Sequence, residues 1–151
     1  MPLIRRAVAA DVPAIVALLA DDPLGSTRES TADLAPYKEA FDAIDADPSE
    51  LLLVLADETE IIGTMQLSFL PGLSLGGATR AQIEAVRVRD DHRGQGLGEQ
   101  MFDWAVAEAR RRGCSLMQLT TNKSRGDAHR FYERLGFVAS HEGMKLDLRA
   151  T

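Results

Sequence analysis

Hydrophobic and polar positions change their spacing along the chain, and the spacing predicts the order of the secondary-structure elements. Residues 2–8 have the pattern of a short strand. Apolar residues then recur at helical spacing from Val12 to Leu19, directly after Asp11, which is a predicted helix cap. Residues 21–49 are polar and contain turn-forming residues, with one predicted helix that Pro36 either starts or breaks. The chain therefore begins with a strand and a helix.

The middle of the chain has the pattern of consecutive strands. Residues 50–57 and 60–70 are apolar runs, β-branched in part, joined by a short acidic turn, so they are predicted to form an antiparallel hairpin. Residues 71–80 contain glycines and a proline and are predicted to form a loop. The next strand is predicted over residues 81–89.

The strand at 81–89 does not keep a regular period of two. Its apolar residues are Ala81, Ile83 and Ala85, after which the pattern shifts by one position to Val86 and Val88. A β-bulge between Ala85 and Val86 would produce this shift and would re-aim the side chains that follow. A central strand buried on both faces is the alternative, because such a strand needs no alternation. The sequence leaves both interpretations open.

The last third of the chain returns to alternating helices and strands. Residues 97–113 are predicted to form the longest helix, which ends at a glycine. Residues 114–121 are predicted to be a strand, 126–136 a helix, and 137–148 a final pair of short strands. The complete order predicts an α/β sandwich with a mixed sheet.

Composition narrows the class of protein. The chain has 151 residues, of which 45% are hydrophobic and 26% charged, as expected of one globular domain over residues 1–151. No segment reaches the ~20 apolar residues of a membrane-spanning helix, and the N-terminus lacks the pattern of a signal peptide. One cysteine, Cys114, suits a reducing compartment, so we expect a cytoplasmic protein without membrane partners. A net charge of -6 argues against nucleic-acid binding.

Three glycines lie between the strand at 81–89 and the longest helix. Gly94, Gly96 and Gly98 follow Arg93, and backbone N–H groups in such a turn can bind a phosphate together with the positive end of the helix. A P-loop is excluded because no lysine follows, and the spacing does not fit a dinucleotide fingerprint. The alternative is structural: one glycine caps a turn and the others allow the helix to pack closely on the sheet.

Two motifs resemble the signatures of the GNAT superfamily of N-acetyltransferases. The first requires Gln or Arg, two residues, Gly, one residue, and then Gly or Ala, which Arg93, Gly96 and Gly98 satisfy. The second is Ala-x-x-Phe-Tyr-x-x-Leu-Gly-Phe, and its positions are occupied by Ala128, Phe131, Tyr132, Leu135, Gly136 and Phe137. The resemblance is clearest over residues 83–137, while residues 21–50 add nothing specific to it.

The resemblance implies a fold and a reaction. The fold would be GNAT-like, with a mixed, mostly antiparallel central sheet of about six to seven strands, splayed between the fourth and fifth strands and flanked by about four helices. The reaction would move an acetyl group from acetyl-CoA to a primary amine, expected to be that of a small molecule, by direct attack in a ternary complex. Acetylation of a protein lysine or N-terminus is one alternative, and a non-catalytic CoA-binding regulatory module is another. We also expect a homodimer, as is common in that family.

The same resemblance assigns residues to acetyl-CoA. Val86, Arg87 and Val88 would bind pantetheine through their backbone, and the Val88 amide would polarise the thioester carbonyl. The pyrophosphate would bind at Arg93, Gly94, Gln95, Gly96, Leu97 and Gly98. Asn122 and Arg125 resemble positions that contact pantetheine or phosphate, although both residue types are equally typical of turns.

Two side chains are candidates for proton transfer. Tyr132 corresponds to the family's tyrosine that protonates the departing thiolate, although without the resemblance it would be read as a half-buried helix residue. Glu84 is the candidate general base, although a glutamate in a strand is often only on the solvated face. Gln82, two residues earlier, is a candidate for orienting the substrate. The sequence does not decide between Glu84 and water as the base, and it does not identify the acceptor.

The remaining reactive residue types have plainer interpretations. His92, His129 and His141 form neither of the common zinc motifs, so we predict no metal site. Cys114 is predicted to be a small buried hydrophobic residue, which argues against an acetyl-cysteine intermediate. Tyr37 and Phe41 lie at helical spacing and either line the acceptor pocket or belong to the core.

Overall fold

The computed structural model describes residues 2–22 and 24–149. The chain divides into two compact units, with the boundary between Gln118 and Leu119. The first unit contains the sheet and most of the helices, and the second contains one helix. The single-domain organisation stays a prediction.

The first unit carries the strands of one sheet. The strands are β1 (Leu3–Arg6), β2 (Glu50–Ala56), β3 (Ile61–Pro71), β4 (Thr79–Val88) and β5 (Leu116–Leu119), the last of which ends one residue beyond the boundary. The helices are α1 (Val12–Ala20), α2 (Gly25–Arg28), α3 (Ala35–Ala46), α4 (Ser74–Gly77) and α5 (Leu97–Arg111). The helix of the second unit is α6 (Gly126–Arg134).

The sheet is mixed and mostly antiparallel. Its strand order is β1-β2-β3-β4-β5; the first four strands pair antiparallel, while β4 and β5 are parallel. The Ser115 N–H donates to the Thr79 carbonyl at 3.0 Å, so β4 and β5 start side by side. Because β4 has 10 residues and β5 has 4, the second half of β4 extends past the end of β5.

Helices cover both faces of the sheet. On one face, α1 and α3 contribute Val16 and Phe41 to a core cluster that includes Val54 of β2. On the other face, the buried side of α5 contains Met101 and Phe102, and the Met101 sulfur lies close to the backbone of β3. The core interpretation of Phe41 is the one observed, and Tyr37 packs against the same cluster.

Most predicted elements are confirmed, including the β2–β3 hairpin, and Pro36 lies in the first turn of α3, so it starts this helix. The predicted pair of strands at 137–148 is wrong: across the described residues 137–149 the chain forms no strand. Met144 and Leu146 have the alternation of a strand but are 93% and 84% exposed. Alternation alone does not stabilise a strand, which needs a neighbour to pair with. The described residues therefore contain five strands rather than six or seven.

Candidate functional site

The fourth strand contains a β-bulge. Ala85 has a φ of 55°, in the left-handed region, and the pairing register of β3 with β4 shifts between Thr64 and Gln66. Two residues, Ala85 and Val86, therefore stand opposite Met65 alone. The bulge interpretation is confirmed, and burial on both faces is wrong because Ala85 is exposed. A non-glycine residue in this conformation costs ~1–2 kcal/mol, which the surrounding ladder must offset.

Beyond the bulge, two backbone amides point to the open edge of β4. The Arg89 N–H, one residue after β4, donates to the carbonyl of Ile62 in β3 at 2.8 Å. N–H groups alternate in direction along an extended strand, so those of Val86 and Val88 point away from β3. This edge lies where β4 extends past the end of β5. The Val88 carbonyl, on the same edge, accepts a hydrogen bond from Arg93 Nε at 3.2 Å.

The glycine turn leads from β4 into α5 through two left-handed residues. Gly94 and Gly96 have φ values of 80° and 75°, and a Cβ added at either would meet no described atom within 4 Å. Their backbone conformation, rather than close packing, is therefore what requires glycine. Gly96 is the N-cap of α5, so the amides of the first helical turn, beginning with Leu97 and Gly98, have no partner within the helix. This is the geometry of an anion site.

The other side chains of the turn differ in their exposure to solvent. Gln95 is exposed between the two left-handed glycines, whereas the Leu97 side chain is buried. The Arg93 side chain is 56% exposed and pairs with Asp90 at 2.7 Å. A pocket of about 380 Å³ lies beside it, between the end of α1 and the turn. Its lining residues are Ala20, Asp21, Asp22, Ser26, Asp90 and Arg93.

Arg87 has a structural contact that the sequence did not indicate. Its Nε lies 3.0 Å from Asp22 Oδ2, and both side chains are largely buried, with 15% and 9% exposed. Asp22 also accepts a hydrogen bond from the Gly25 N–H at 2.5 Å. The ion pair therefore attaches the loop between α1 and α2 to β4. Asp22 and Arg87 are distant in sequence, so only the fold reveals the pair.

Glu84 belongs to a row of polar side chains that crosses three strands. Its Oε1 accepts a hydrogen bond from Gln82 Nε2 at 2.6 Å, and it stands opposite Gln66 of β3. Glu50 of β2 accepts hydrogen bonds from Gln66 Nε2 at 2.9 Å and from the Ser68 hydroxyl at 2.7 Å. We call these five residues the polar strip. Glu50, Gln66 and Ser68 are not among the residues predicted from the sequence, although polar residues at alternate positions of an otherwise apolar strand indicate a polar face.

The second unit holds the other predicted site residues. Tyr132 lies on α6, where its ring makes edge-to-face contacts with Phe131 and Phe137 at centroid distances of 5.6 and 6.0 Å. The Asn122 side chain accepts hydrogen bonds from the Ser124 N–H and hydroxyl at 3.0 and 2.7 Å, as in an Asx turn. Arg125 is the N-cap of α6. Both therefore have turn positions, and their contact with a cofactor stays a prediction.

The histidines described below contact carboxylates close to them in sequence, and the cysteine is half-buried. His92 contacts Asp91 at 2.8 Å, and His129 lies 3.5 Å from Glu133 on the next turn of α6. Within residues 2–22 and 24–149, no three metal-ligating side chains are grouped together. Burial raises the pKa of the half-buried Cys114 thiol, so a reactive thiolate is disfavoured.

Comparison with known proteins gives one family. Residues 13–137 match the profile of the Acetyltransferase (GNAT) family. The chain is 30% identical over 138 residues to an aminoalkylphosphonate N-acetyltransferase of Salmonella typhimurium, covering 91% of this chain and 86% of that protein. It is also 30% identical over 141 residues to an L-methionine sulfoximine/L-methionine sulfone acetyltransferase of Pseudomonas paraeruginosa, covering 91% and 80%.

A solved structure is more similar in sequence. It is described as a transcriptional regulator from Bacillus halodurans C-125, and it shares 45% identity with this chain. The TM-score is 0.94, and the similarity covers 98% of this chain and 100% of that one. Across the part of the chain that the structure describes, no helix has the length and apolar character needed to cross a bilayer.

Proposed function

Because the chain belongs to the GNAT acetyltransferase family and is an acyltransferase, we propose that it moves the acetyl group of acetyl-CoA to the primary amine of a small molecule. The observation that carries this proposal is the bulged β4 with two outward-pointing amides, followed by the glycine turn at the start of α5. These features supply donors for a thioester and for a pyrophosphate within one continuous segment.

In the proposed reaction, the neutral amine attacks the thioester carbonyl directly. A C–N bond forms, the C–S bond breaks, and CoA leaves as a thiolate. The Val88 N–H is proposed to stabilise the negative charge on the carbonyl oxygen, a type of contact whose removal costs ~3–4 kcal/mol in other enzymes. Val86 and Arg87 are proposed to bind pantetheine through their backbone, while Arg93 to Gly98 bind the diphosphate.

The substrate nitrogen loses two protons, one from the ammonium form before attack and one as the tetrahedral intermediate collapses, while the departing thiolate gains one, so one proton is released overall. Glu84 is proposed to accept the proton of the ammonium group, because its carboxylate is exposed on β4 immediately before the bulge. Tyr132 is proposed to protonate the thiolate, on the basis of the second signature. Asn122 and Arg125 are proposed to contact pantetheine or phosphate on the same basis. Each assignment is testable by a single substitution.

Small-molecule acceptors are favoured over protein acceptors by the relatives. The named relatives with 91% coverage of this chain acetylate an aminoalkylphosphonate and methionine derivatives, all of them small amines. A protein lysine or N-terminus is the alternative acceptor. We further propose a homodimer in the cytoplasm that does not act on nucleic acid, consistent with the net charge of -6.

The description of the similar Bacillus halodurans protein as a transcriptional regulator is the reason to keep a second candidate, a regulatory module that we propose would bind CoA without turnover. Both Glu84 and Tyr132 are present in this chain, which favours an enzyme. The two candidates differ in whether free thiol is released from acetyl-CoA.

The deciding experiment follows thiol release from acetyl-CoA with a panel of aminoalkylphosphonates, amino acids, polyamines and arylalkylamines. Calorimetry with CoA is run in parallel. Thiol release with at least one amine supports the proposed enzyme, and mass spectrometry of the product identifies the acetylated nitrogen. CoA binding without release from any amine, or from candidate protein targets, would support the regulatory module. Absence of CoA binding at millimolar concentration would refute both.

A further inference from the structure

The polar strip is unusual because it lies on central strands. β3 has a strand on each side, and residues on central strands of an α/β sandwich are normally covered by helices. Yet Gln66 and Ser68 of β3 project to the same face as Glu50, because each contacts its carboxylate. Glu84 shares that face, since it pairs with Gln66 across the strands. Polar residues in this position indicate a surface that meets something other than a helix.

The helices on this face cover only the adjacent part of the sheet. Leu52 and Val54, which follow Glu50 on the same face of β2, pack with α1 and α3. Ser68 and Gln66 stand opposite Glu50 and Leu52, so the strip begins where the apolar cover ends. The strip is partly accessible, with Glu84 the most exposed of its members.

The two carboxylates of the strip are held apart in a fixed arrangement. Glu50 and Glu84 lie on strands β2 and β4, on either side of β3, where they stand opposite Ser68 and Gln66 and are therefore offset by two residues along the strands. With ~4.8 Å between strands and ~3.3 Å per residue, their Cα atoms are separated by roughly 12 Å. Glu50 is positioned by two donors on one oxygen, and Glu84 by Gln82.

The strip contains two carboxylates, Glu50 and Glu84, and neither is paired with a cationic side chain among the described residues. Arg87, on the same face beyond the bulge, is already neutralised by Asp22. Arg80, two residues before Gln82 on the same face, donates to Gln118 of β5 at 3.4 Å, and Gln118 Nε2 donates to Gln82 at 2.8 Å, so this cation lies beyond the Gln82 end of the strip. An ammonium group of a ligand can therefore pair with Glu50 or with Glu84 without displacing a cationic side chain.

We propose that the acceptor carries a second ammonium group and that Glu50 binds it while Glu84 faces the amine to be acetylated. This rests on the proposed function, and it makes aliphatic diamines the substrate class. Glu50 is then a specificity-determining residue that does not touch the reacting atoms. Gln66 and Ser68 hold its carboxylate in place.

The test compares two amines of equal chain length, hexamethylenediamine and hexylamine, on the wild-type protein and on Glu50→Gln. We expect Glu50→Gln to raise the KM for hexamethylenediamine by ~10–100-fold, the range for loss of one charged contact, with kcat changed less than about twofold. The KM values for hexylamine and acetyl-CoA are expected to stay within about twofold. Glu58→Gln, on the exposed turn after β2, is the matched control and is expected to change none of these values.

Three outcomes would overturn the proposal. The first is an equal change in KM for the diamine and the monoamine, the second is no change for either, and the third is a preference for an acidic amine such as aminoethylphosphonate over the diamine. Glu50→Asp, which keeps the charge, is expected to restore part of the affinity and so separates a charge effect from a folding defect. If no amine is acetylated, calorimetry of the two amines with the CoA-loaded protein still measures whether Glu50 selects the diamine, independently of the reaction.

Discussion

Replacing Gly96 by alanine tests whether the glycine turn binds the diphosphate of CoA. Gly96 and Gly113 stand at opposite ends of α5, with φ values of 75° and 80°, and neither has a described atom within 4 Å of an added Cβ. At Gly113 the chain leaves the helix through a Schellman motif, with the Cys114 N–H bonded to the Ala109 carbonyl at 2.9 Å. The two glycines therefore have the same backbone conformation and the same free space around an added Cβ, but only Gly96 belongs to the glycine turn before α5.

The expected loss of stability is the same at both positions. An alanine in the left-handed region costs ~1–2 kcal/mol relative to an unstrained residue, and no steric clash adds to it. For a chain of this size, that corresponds to a decrease in Tm of roughly 2–8 °C. The affinity for CoA should differ between the two variants, because a Cβ at Gly96 would disturb the amides that we propose bind the diphosphate. We expect the Kd for CoA to rise ~10-fold or more for Gly96→Ala and less than about twofold for Gly113→Ala.

Thermal unfolding without ligand and calorimetric titration with CoA measure the two effects separately. Equal Kd values for the two variants would refute the placement of the diphosphate at this turn. Unchanged Tm values for both variants would instead refute the conformational argument for the glycines.

Four further predictions concern single side chains. Tyr132→Phe should keep the affinity for acetyl-CoA but lower turnover ~10–100-fold, and unchanged turnover would remove Tyr132 from the mechanism. Glu84→Gln should lower kcat/KM by a similar factor and change its pH profile, whereas an unaltered profile would indicate another base or water. Asp22→Asn leaves Arg87 buried without its anionic partner, so we expect a loss of about 3 kcal/mol in urea unfolding, partly recovered when Arg87→Met is added; no loss would contradict the ion pair. The Arg111 and Arg112 guanidiniums lower the pKa of Glu108 to about 2 from 4.5, so its stabilising contribution is complete above the unfolded-state value near pH 4.5 and is lost as the pH falls toward 2; Glu108→Gln should remove that part of the acid sensitivity in equilibrium unfolding.

Local features of the site could be predicted from the sequence. The shift between Ala85 and Val86 located the irregular position of the strand, because a single inserted residue changes the alternation, but it fitted a bulge and a strand buried on both faces equally well; the pairing register decides for the bulge. The glycines of the turn also predicted an irregular backbone before the helix, since a left-handed residue at that place favours glycine in any fold.

Features that depend on strand register could not be predicted. The Asp22–Arg87 ion pair joins the end of α1 to β4, and the polar strip exists only because Glu50, Ser68 and Gln82 occupy matching positions on three strands. The terminal strands were predicted wrongly because alternation specifies a strand's faces but not its partner.

The bulge changes the path of the β4 backbone without changing which face of the sheet the flanking side chains occupy. Glu84 pairs with Gln66 and Arg87 with Thr64, so the side chains on both sides of Ala85 keep the faces that an uninterrupted ladder would give them. Deleting Ala85 would thus straighten the strand without turning any side chain over. The bulge therefore depends on one inserted residue, and a chain without Ala85 would keep the apolar and polar faces of β4 while losing the irregular backbone at which we propose that the thioester binds.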